Sequence, residues 1–146
     1  MKILVINGPN LNFLGIRDTS IYGREDYNFL VDMIEKHAKE KGVEVECFQS
    51  NHEGAIIDRI QQAYLEHTEG IVINPGAYTH YSYAIHDALA DASGIVKVEI
   101  HISDIYARED FRKISVTKPA CDDQVVGEGL KGYLTAMDKV IAKING

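Results

Sequence analysis

The stretch from Ile3 to Gly23, ILVINGPNLNFLGIRDTSIYG, establishes a pattern that the rest of the chain repeats. Its first four residues, Ile3–Ile6, are apolar, and the sequence NGPN ends this run. A short apolar run that stops at Asn, Gly and Pro is typical of a buried β-strand entering a turn. The next segment has no helical period, and its polar side chains include two carboxamides (Asn10, Asn12), an arginine (Arg17) and a phenol (Tyr22). We therefore predict a buried strand that leads into a loop with the composition of a functional site.

Helical and strand patterns alternate along the rest of the chain. Apolar residues at helical spacing predict helices over Asp26–Lys41, from the turn at 50–54 to near Thr68, over Thr79–Ala92 and over Gly129–Ile144. Apolar or alternating runs predict strands over Val43–Phe48, Gly70–Ile73, Val96–Ile102 and Ala120–Val126. Gly42 is the expected C-cap of the first helix, and Thr79 is the expected N-cap of the third. Tyr106–Lys113 is expected to form a short charged helix or turn.

This alternation predicts an α/β fold. Parallel strands joined by right-handed helical crossovers form a sheet that helices cover on both faces. We predict a flavodoxin-like doubly wound sandwich whose five-stranded parallel sheet has the order 2-1-3-4-5. With 146 residues, the chain is expected to form a single catalytic domain spanning residues 1–146.

The composition argues against several classes of partner. The chain has 15 Lys and Arg against 22 Asp and Glu, so no nucleic-acid surface and no polybasic membrane patch are indicated. No apolar run is long enough to span a bilayer, and Met1 enters a strand directly, so we expect a cytoplasmic protein. Cys47 and Cys121 are far apart and lack the spacing of metal ligands. The predicted strand order places them at opposite edges, so we expect two free thiols and no metal site.

The predicted strand order also brings polar side chains together. In such sheets, ligands bind beyond the carboxyl ends of the strands, at the switch point between strands one and three. The loops that follow these two strands share a pattern, Asn7-Gly8-Pro9 and Asn74-Pro75-Gly76. The predicted crevice contains Asn10, Arg17, Tyr22, Asn74, Gly76, Glu99, His101 and Ser103.

No activated nucleophile, metal cluster or phosphate-binding loop accompanies these residues, which leaves proton transfer as the chemistry they can perform. A tyrosine ionises at about pH 10 in water, so Tyr22 needs a close cation to act as a base, and Arg17 lies in the same loop. His101 is suited to the complementary acid. Glu99 shares the face of His101 by the strand period of two, so its carboxylate can fix the tautomer of the imidazole.

The same motifs carry a resemblance to a known family. The matching segments are INGPNLNFLGIR with IYG, SNHEGAIIDRI, INPGAYTHYSYAIHDAL, VEIHISDIYAREDFR and VVGEGLKGY. They occur in family order over essentially the whole chain, which resembles the type II dehydroquinases. The resemblance implies an anti elimination of water from 3-dehydroquinate, through an enolate, to give 3-dehydroshikimate in the shikimate pathway. It implies no cofactor, and it implies a homododecamer that is a tetramer of trimers.

The resemblance also implies catalytic roles for five residues. Tyr22 abstracts the proton beside the ketone, and Arg17 keeps the phenol ionised; both belong to a mobile lid, Arg17 to Gly23. Asn10 holds a water molecule against the enolate oxygen. His101, oriented by Glu99, protonates the departing hydroxyl.

Seven further residues are implied to bind the substrate. Asn74, His80 and Arg112 hold its hydroxyls, while the backbone at Ile102 and Ser103 holds its carboxylate. Arg108 closes the lid. Asp87 lies seven residues after His80, on the same helical face, and is implied to reach into the site of a neighbouring subunit.

Three positions depart from the family pattern. Thr19-Ser20 replaces a Glu-Pro pair, which predicts a lid that is more flexible or differently anchored. Asp104 replaces an asparagine and adds a negative charge near the expected carboxylate site. Asp122-Asp123 replaces a glycine-containing turn, which leaves open where the last strand begins.

The competing hypothesis is a non-catalytic flavodoxin-like module that binds a small ligand or transmits a signal. A flavin-binding loop after strand one is rich in hydroxyls, whereas GPNLNFLG contains no Ser or Thr. A phosphoacceptor domain needs acidic residues there and an aspartate in place of Asn74. Nucleotide-dependent enzymes are disfavoured because the chain lacks G-x-G-x-x-G after strand one and GK[ST] throughout.

Overall fold

The computed structural model describes residues 1–146, and its strands and helices alternate as predicted. The strands are β1 (Lys2–Asn7), β2 (Glu44–Gln49), β3 (Gly70–Asn74), β4 (Val96–His101) and β5 (Asp123–Val126). The α-helices are α1 (Thr19–Tyr22), α2 (Tyr27–Lys41), α3 (Glu53–Leu65), α4 (Tyr83–Asp91) and α5 (Gly132–Asn145). The strands form one five-stranded sheet of order β2-β1-β3-β4-β5, in which every neighbouring pair is parallel. The predicted flavodoxin-like order is therefore confirmed.

Each face of the sheet packs against its own apolar layer. In β1, Ile3 and Val5 belong to one buried cluster, together with residues of α2 and α5. Leu4 and Ile6 belong to the other cluster, together with residues of α3 and α4. Because β1 is buried on both faces, its apolar run is continuous and does not alternate with polar residues.

The loops that follow β1 and β3 lie against each other at the switch point. The backbone N–H of Gly8 donates to the carbonyl oxygen of Asn74 at 2.8 Å. A Cβ atom on Gly8 would lie 2.6 Å from the carbonyl oxygen of Pro75, so only glycine allows this approach. Beyond this contact the two loops diverge, and the crevice of the switch point lies between them.

The expected helix caps are correct for α2 and wrong for α4. Asp26 caps the start of α2, and Gly42 ends it in the left-handed conformation with a φ of 69°. Thr79, the predicted N-cap of the third helix, instead lies inside a 3₁₀ segment, Gly76–His80. The N-cap of α4 is Ser82, whose hydroxyl accepts from the backbone N–H of Ile85 at 3.0 Å.

Two other predicted elements, the second helix and the last strand, were too long. Helix α3 ends at Leu65 and not near Thr68, because His67 adopts a left-handed φ of 61° that a helix cannot continue. Strand β5 begins at Asp123 and not at Ala120, because Lys118–Ala120 forms a 3₁₀ turn around Pro119. The Asp122 carboxylate accepts from the backbone N–H of Lys97 at 2.8 Å, taking a place that a strand carbonyl would fill.

The charged segment Tyr106–Lys113 folds as two 3₁₀ turns, Ile105–Ala107 and Asp110–Lys113. A further 3₁₀ turn, Gly129–Lys131, leads into α5. Cys47 in β2 and Cys121 just before β5 are both free and lie at opposite sides of the sheet. None of the helices has both the length and the apolar character that crossing a membrane requires.

Candidate active site

A pocket opens at the carboxyl ends of β1, β3 and β4, and all but two of the predicted site residues line it. The predicted residues in its wall are Asn10, Arg17, Tyr22, Asn74, His80, His101, Ile102, Ser103, Arg108 and Arg112. The two that do not line it are Glu99, which lies beneath His101, and Asp87, which lies on α4. Residues that are far apart in the sequence thus converge at the switch point, where we predicted a ligand site.

The phenol of Tyr22 contacts two guanidinium groups. The Cζ atom of Arg17 lies 3.8 Å from the ring centroid, over the face of the ring. Nη1 of Arg108 donates to the phenol oxygen at 2.8 Å and to Oγ of Ser103 at 3.2 Å. The sequence predicted a cation beside the phenol, but the guanidinium at the oxygen in this conformation is that of Arg108.

Helix α1 presents Tyr22 from the lid, and local contacts form this short helix. The Asp18 carboxylate accepts from the backbone N–H of Ser20 at 3.1 Å and from its hydroxyl at 2.5 Å. These bonds hold the pKa of the exposed Asp18 below its ordinary value. Gly23 ends the helix with a φ of 85°. Ser20, at one of the unusual lid positions, therefore helps Asp18 to cap α1 within the lid.

His101 and Glu99 form a buried pair at the end of β4. Nε2 of His101 lies 2.9 Å from Oε2 of Glu99, and both side chains are almost completely shielded from solvent. Since an ionised carboxylate can only accept, Nε2 carries the hydrogen in this bond. The other ring nitrogen, Nδ1, is left for the pocket.

Four further side chains donate to the Glu99 carboxylate, and sequence reasoning missed all four. The hydroxyl of Ser115 and the amide Nε2 of Gln124 lie 2.9 Å and 2.7 Å from Oε2. The hydroxyls of Thr79 and Thr117 bond to Oε1. Burial raises the pKa of Glu99, but the hydrogen bond and charge of His101 and the bonds from Thr117 and Gln124 outweigh it, so the pKa is lowered overall.

A chain of buried hydrogen bonds fixes Asn74. Its Nδ2 donates to the hydroxyl of Tyr133 at 2.9 Å, and that hydroxyl donates to Oδ1 of Asn7 at 2.6 Å. Oδ1 of Asn74 accepts from the backbone N–H of Gly76 at 3.0 Å. The amide still has a second hydrogen and a second lone pair, so it can bind a ligand while remaining fixed.

His80 and Arg112 also line the pocket. Nδ1 of His80 donates to the carbonyl oxygen of Ile114 at 2.8 Å, which leaves Nε2 as the acceptor in the neutral ring. Burial, with the positive charges of His101 and Arg112, lowers the pKa of His80. Nε of Arg112 donates to Glu109 at 2.8 Å, which restrains the guanidinium beside the pocket.

The remaining predicted residues differ in how they are held. Asn10 has a left-handed φ of 70°, and its side chain makes no capping bond, so the amide is available to a ligand or water. Asp104 turns its carboxylate to the backbone N–H of Tyr106 at 3.0 Å, which caps a 3₁₀ turn. The side chain of Asp87 is 75% exposed and forms its ion pair within the chain with the neighbouring His86. No three His, Cys, Asp or Glu side chains are grouped as metal ligands.

Together the fold and the pocket define a class: an α/β protein of the flavodoxin-like type with an acid–base site at its switch point. The chain belongs to the class II dehydroquinase family, whose model matches residues 1–141. The 3-dehydroquinate dehydratase of Lachnospira eligens is 64% identical over 141 residues, which cover 97% of this chain and 96% of that protein.

Solved structures agree with this assignment. The crystal structure of type II dehydroquinase from Butyrivibrio crossotus DSM 2876 matches with a TM-score of 0.95 and 65% identity, over 100% of this chain and 98% of that one. The type II dehydroquinase from Propionibacterium acnes matches with a TM-score of 0.93 and 40% identity, over 97% and 96% of the two chains. The family that the sequence motifs resemble is therefore confirmed.

Proposed function

We propose that this chain is a 3-dehydroquinate dehydratase, a hydro-lyase that converts 3-dehydroquinate to 3-dehydroshikimate in the shikimate pathway of chorismate and aromatic amino acid biosynthesis. The observation that carries the proposal is the single pocket that joins the Tyr22 phenol, in contact with two guanidinium groups, to the buried His101–Glu99 pair. An elimination needs one group that removes a proton and another that gives one, and the pocket supplies both without a cofactor.

Tyr22 is the base. Its phenolate takes the proton from the carbon beside the substrate ketone, and the electron pair moves into an enolate. Arg108 at the oxygen and Arg17 over the ring stabilise the negative charge of the phenolate. Asn10, whose amide makes no capping bond, holds a water molecule against the enolate oxygen.

His101 is the acid. The enolate collapses to the conjugated enone, the carbon–oxygen bond of the leaving hydroxyl breaks, and His101 gives it the proton that completes a water molecule. Nδ1 is the nitrogen that does this, because Nε2 is engaged by Glu99. Ionised Glu99 stabilises the protonated imidazole before the transfer.

The polar wall of the pocket holds the substrate. Asn74, His80 and Arg112 bind hydroxyls, and the backbone at Ile102 and Ser103 binds the carboxylate. Arg108 reaches from Ser103 to the lid, so one side chain joins the carboxylate site to the base. A charged substrate bound there draws the lid, and with it the phenol of Tyr22, shut over the pocket.

An ultraviolet assay for the conjugated product tests the function. The wild type is expected to turn over 3-dehydroquinate, and Tyr22→Phe is expected to abolish turnover. The matched control is Tyr64→Phe, which removes a half-exposed phenol on α3. Absence of turnover by the wild type, or full turnover by Tyr22→Phe, contradicts the proposal. Borohydride is expected to leave the enzyme active in the presence of substrate, because the mechanism forms no imine.

The assembly belongs to the same proposal. Residues 1–146 form one catalytic domain, twelve copies assemble as a tetramer of trimers, and the enzyme works in the cytoplasm. Asp87 is exposed in the chain and lies outside its own pocket, which suits a residue that completes the site of a neighbour. Light scattering is expected to give a mass twelve times the 16.3 kDa of the chain. A monomer mass for the active enzyme contradicts this part of the proposal.

A further inference from the structure

The Glu99 carboxylate accepts hydrogen bonds from four side chains in addition to its bond with His101. Besides His101, side chains from three separate segments reach it: Thr79, Ser115 with Thr117, and Gln124. None of these four side chains lines the pocket. They touch the carboxylate and not the ligand space, so any effect that they have on the reaction passes through Glu99.

The three hydroxyls form one connected group around the carboxylate. Oγ1 of Thr79 lies 2.7 Å from the hydroxyl oxygens of both Ser115 and Thr117. Ser115 also accepts from the backbone N–H of Lys118 at 3.0 Å, which leaves its single hydroxyl hydrogen for Glu99. The bonding capacity of each hydroxyl is therefore directed to the carboxylate or to its neighbour.

The Gln124 amide is held by hydrogen bonds at both of its ends. The hydroxyl of Tyr106 donates to Oε1 of Gln124 at 2.8 Å. Because an ionised carboxylate only accepts, the NH₂ group must face Glu99, where Nε2 lies 2.7 Å from Oε2, and the amide oxygen then faces Tyr106. A reversed amide would place its oxygen against the carboxylate, which the charge forbids.

One short segment, residues 114–117, holds both histidines of the pocket. The carbonyl oxygen of Ile114 fixes Nδ1 of His80, while Ser115 and Thr117 fix the partner of His101. The backbone N–H of Val116 donates to the carbonyl oxygen of Thr79 at 2.7 Å, which ties the segment to the loop after β3. The segment follows directly on the turn that carries Arg112.

We propose that Thr117, Ser115 and Gln124 are positioning residues of the dehydration, which act by holding Glu99 ionised and immobile so that His101 keeps Nδ1 directed into the pocket. An ionised Glu99 only accepts, so it fixes the hydrogen of His101 on Nε2. A carboxylate that loses a donor can rotate or take up a proton. Either change allows the imidazole of His101 to adopt the other tautomer, with its hydrogen on Nδ1. The inference rests on the proposed function.

The decisive comparison is Thr117→Val against Thr117→Ser. Valine keeps the shape of threonine and removes the donor, whereas serine keeps the donor and removes a methyl group. The expected result is a kcat for Thr117→Val that is roughly tenfold to a hundredfold below wild type, with KM changed much less, because a lost bond to a buried charge has this scale. Thr117→Ser is expected to stay close to wild type.

A packing role predicts the opposite order, since Thr117 is fully buried and serine would leave a cavity. Thr117→Ser slower than Thr117→Val therefore overturns the proposal, as does a wild-type kcat in both variants. Gln124→Met provides the second test should Thr117→Val not fold, and a wild-type kcat in that variant also overturns the proposal. An inactive wild type would instead contradict the proposed function.

The free enzyme gives a readout that does not depend on turnover. In the ¹⁵N spectrum of the wild type, the imidazole of His101 is expected to show one protonated and one unprotonated ring nitrogen when neutral. Thr117→Val is expected to show averaged nitrogen signals, and Thr117→Ser is expected to keep the wild-type pattern. Identical His101 signals in all three proteins would contradict a role in fixing the tautomer.

Discussion

The hydroxyl of Tyr22 bonds to a different arginine from the one that the sequence suggests. Arg17 is five positions away in the same loop, so the sequence predicts that its guanidinium is the cation at the phenol. Arg108 comes from 86 residues further along the chain and bonds directly to the oxygen. A cation at the oxygen stabilises a phenolate more than one over the ring, because the negative charge is concentrated there.

We therefore expect Arg108→Ala to lower kcat at least as much as Arg17→Ala. The loss of a hydrogen bond to a charged group costs about 1.5 to 3 kcal/mol, or roughly tenfold to a hundredfold in rate. Steady-state kinetics at saturating substrate measure the effect. Arg24→Ala, which removes an exposed arginine outside this pocket, is the control. A much larger loss in Arg17→Ala than in Arg108→Ala would show that the lid rearranges before the reaction.

Glu99 is expected to make the fold sensitive to acid. Its pKa in the folded chain lies below the ordinary value of 4.5, so the folded state binds fewer protons than the unfolded state between the two values. The stability that Glu99 contributes is therefore complete above about pH 4.5 and is lost as the pH falls through the folded pKa.

Urea denaturation between neutral and acidic pH tests this dependence. The wild type is expected to lose unfolding free energy more steeply on acidification than Glu99→Gln, whatever the difference between them at neutral pH. Glu40→Gln, which removes an exposed carboxylate of α2, is the control and is expected to keep the wild-type slope. Equal slopes in wild type and Glu99→Gln would contradict the argument.

At the scale of elements, the contact between the loops after β1 and β3 holds the site in shape. We expect Gly8→Ala to lower the free energy of unfolding by about 1 to 3 kcal/mol, because its Cβ would lie 2.6 Å from a backbone oxygen that cannot move independently. Gly54→Ala is the matched control. A Cβ there meets nothing within 4 Å, and the residue lies in α3, so this change is expected to be neutral or stabilising.

The start of α4 provides a second element-scale prediction. Ser82 accepts from the backbone N–H of Ile85 and donates to Glu53 at 2.5 Å, so it both caps α4 and joins it to α3. Ser82→Ala is expected to cost about 1 kcal/mol of unfolding free energy, the usual value of a lost N-cap. Thermal denaturation measures this, with the exposed Ser93→Ala as the control. An unchanged melting temperature would contradict the role of the cap.

At the scale of the whole molecule, the sequence predicted the features that neighbouring residues specify. It did not predict those that depend on contacts between residues far apart in the chain. The apolar run Ile3–Ile6 and the cap at Gly42 specify their elements within a few residues, so they were predicted correctly. The 3₁₀ turn at Gly76–His80 has no such local signal, and Thr79 was therefore mistaken for a cap. The donors around Glu99 could not be recognised, because Ser115 and Thr117 meet Thr79 only after the chain has folded across 36 and 38 residues.

The position of Asp87 makes the assembly itself testable. If Asp87 completes the site of a neighbouring subunit, Asp87→Ala chains have an intact Tyr22 but lack the partner's contribution, and Tyr22→Phe chains have the reverse defect. In mixed assemblies, some sites then combine Tyr22 from one chain with Asp87 from the next. With equal amounts and random assembly, about a quarter of the sites are complete, so co-expression is expected to restore about a quarter of wild-type activity.

The matched control replaces the Tyr22→Phe chain with a chain that carries both substitutions. No site in that mixture has Asp87 and half of its sites lack Tyr22, so its activity per subunit is expected to be about half that of the Asp87→Ala enzyme. Differently tagged chains, purified in tandem, establish that the two kinds of subunit share one assembly. Activity in the tandem-purified mixture no greater than the average of the two separate variants would mean that Asp87 serves only its own chain, where its 75% exposed side chain lies outside the pocket.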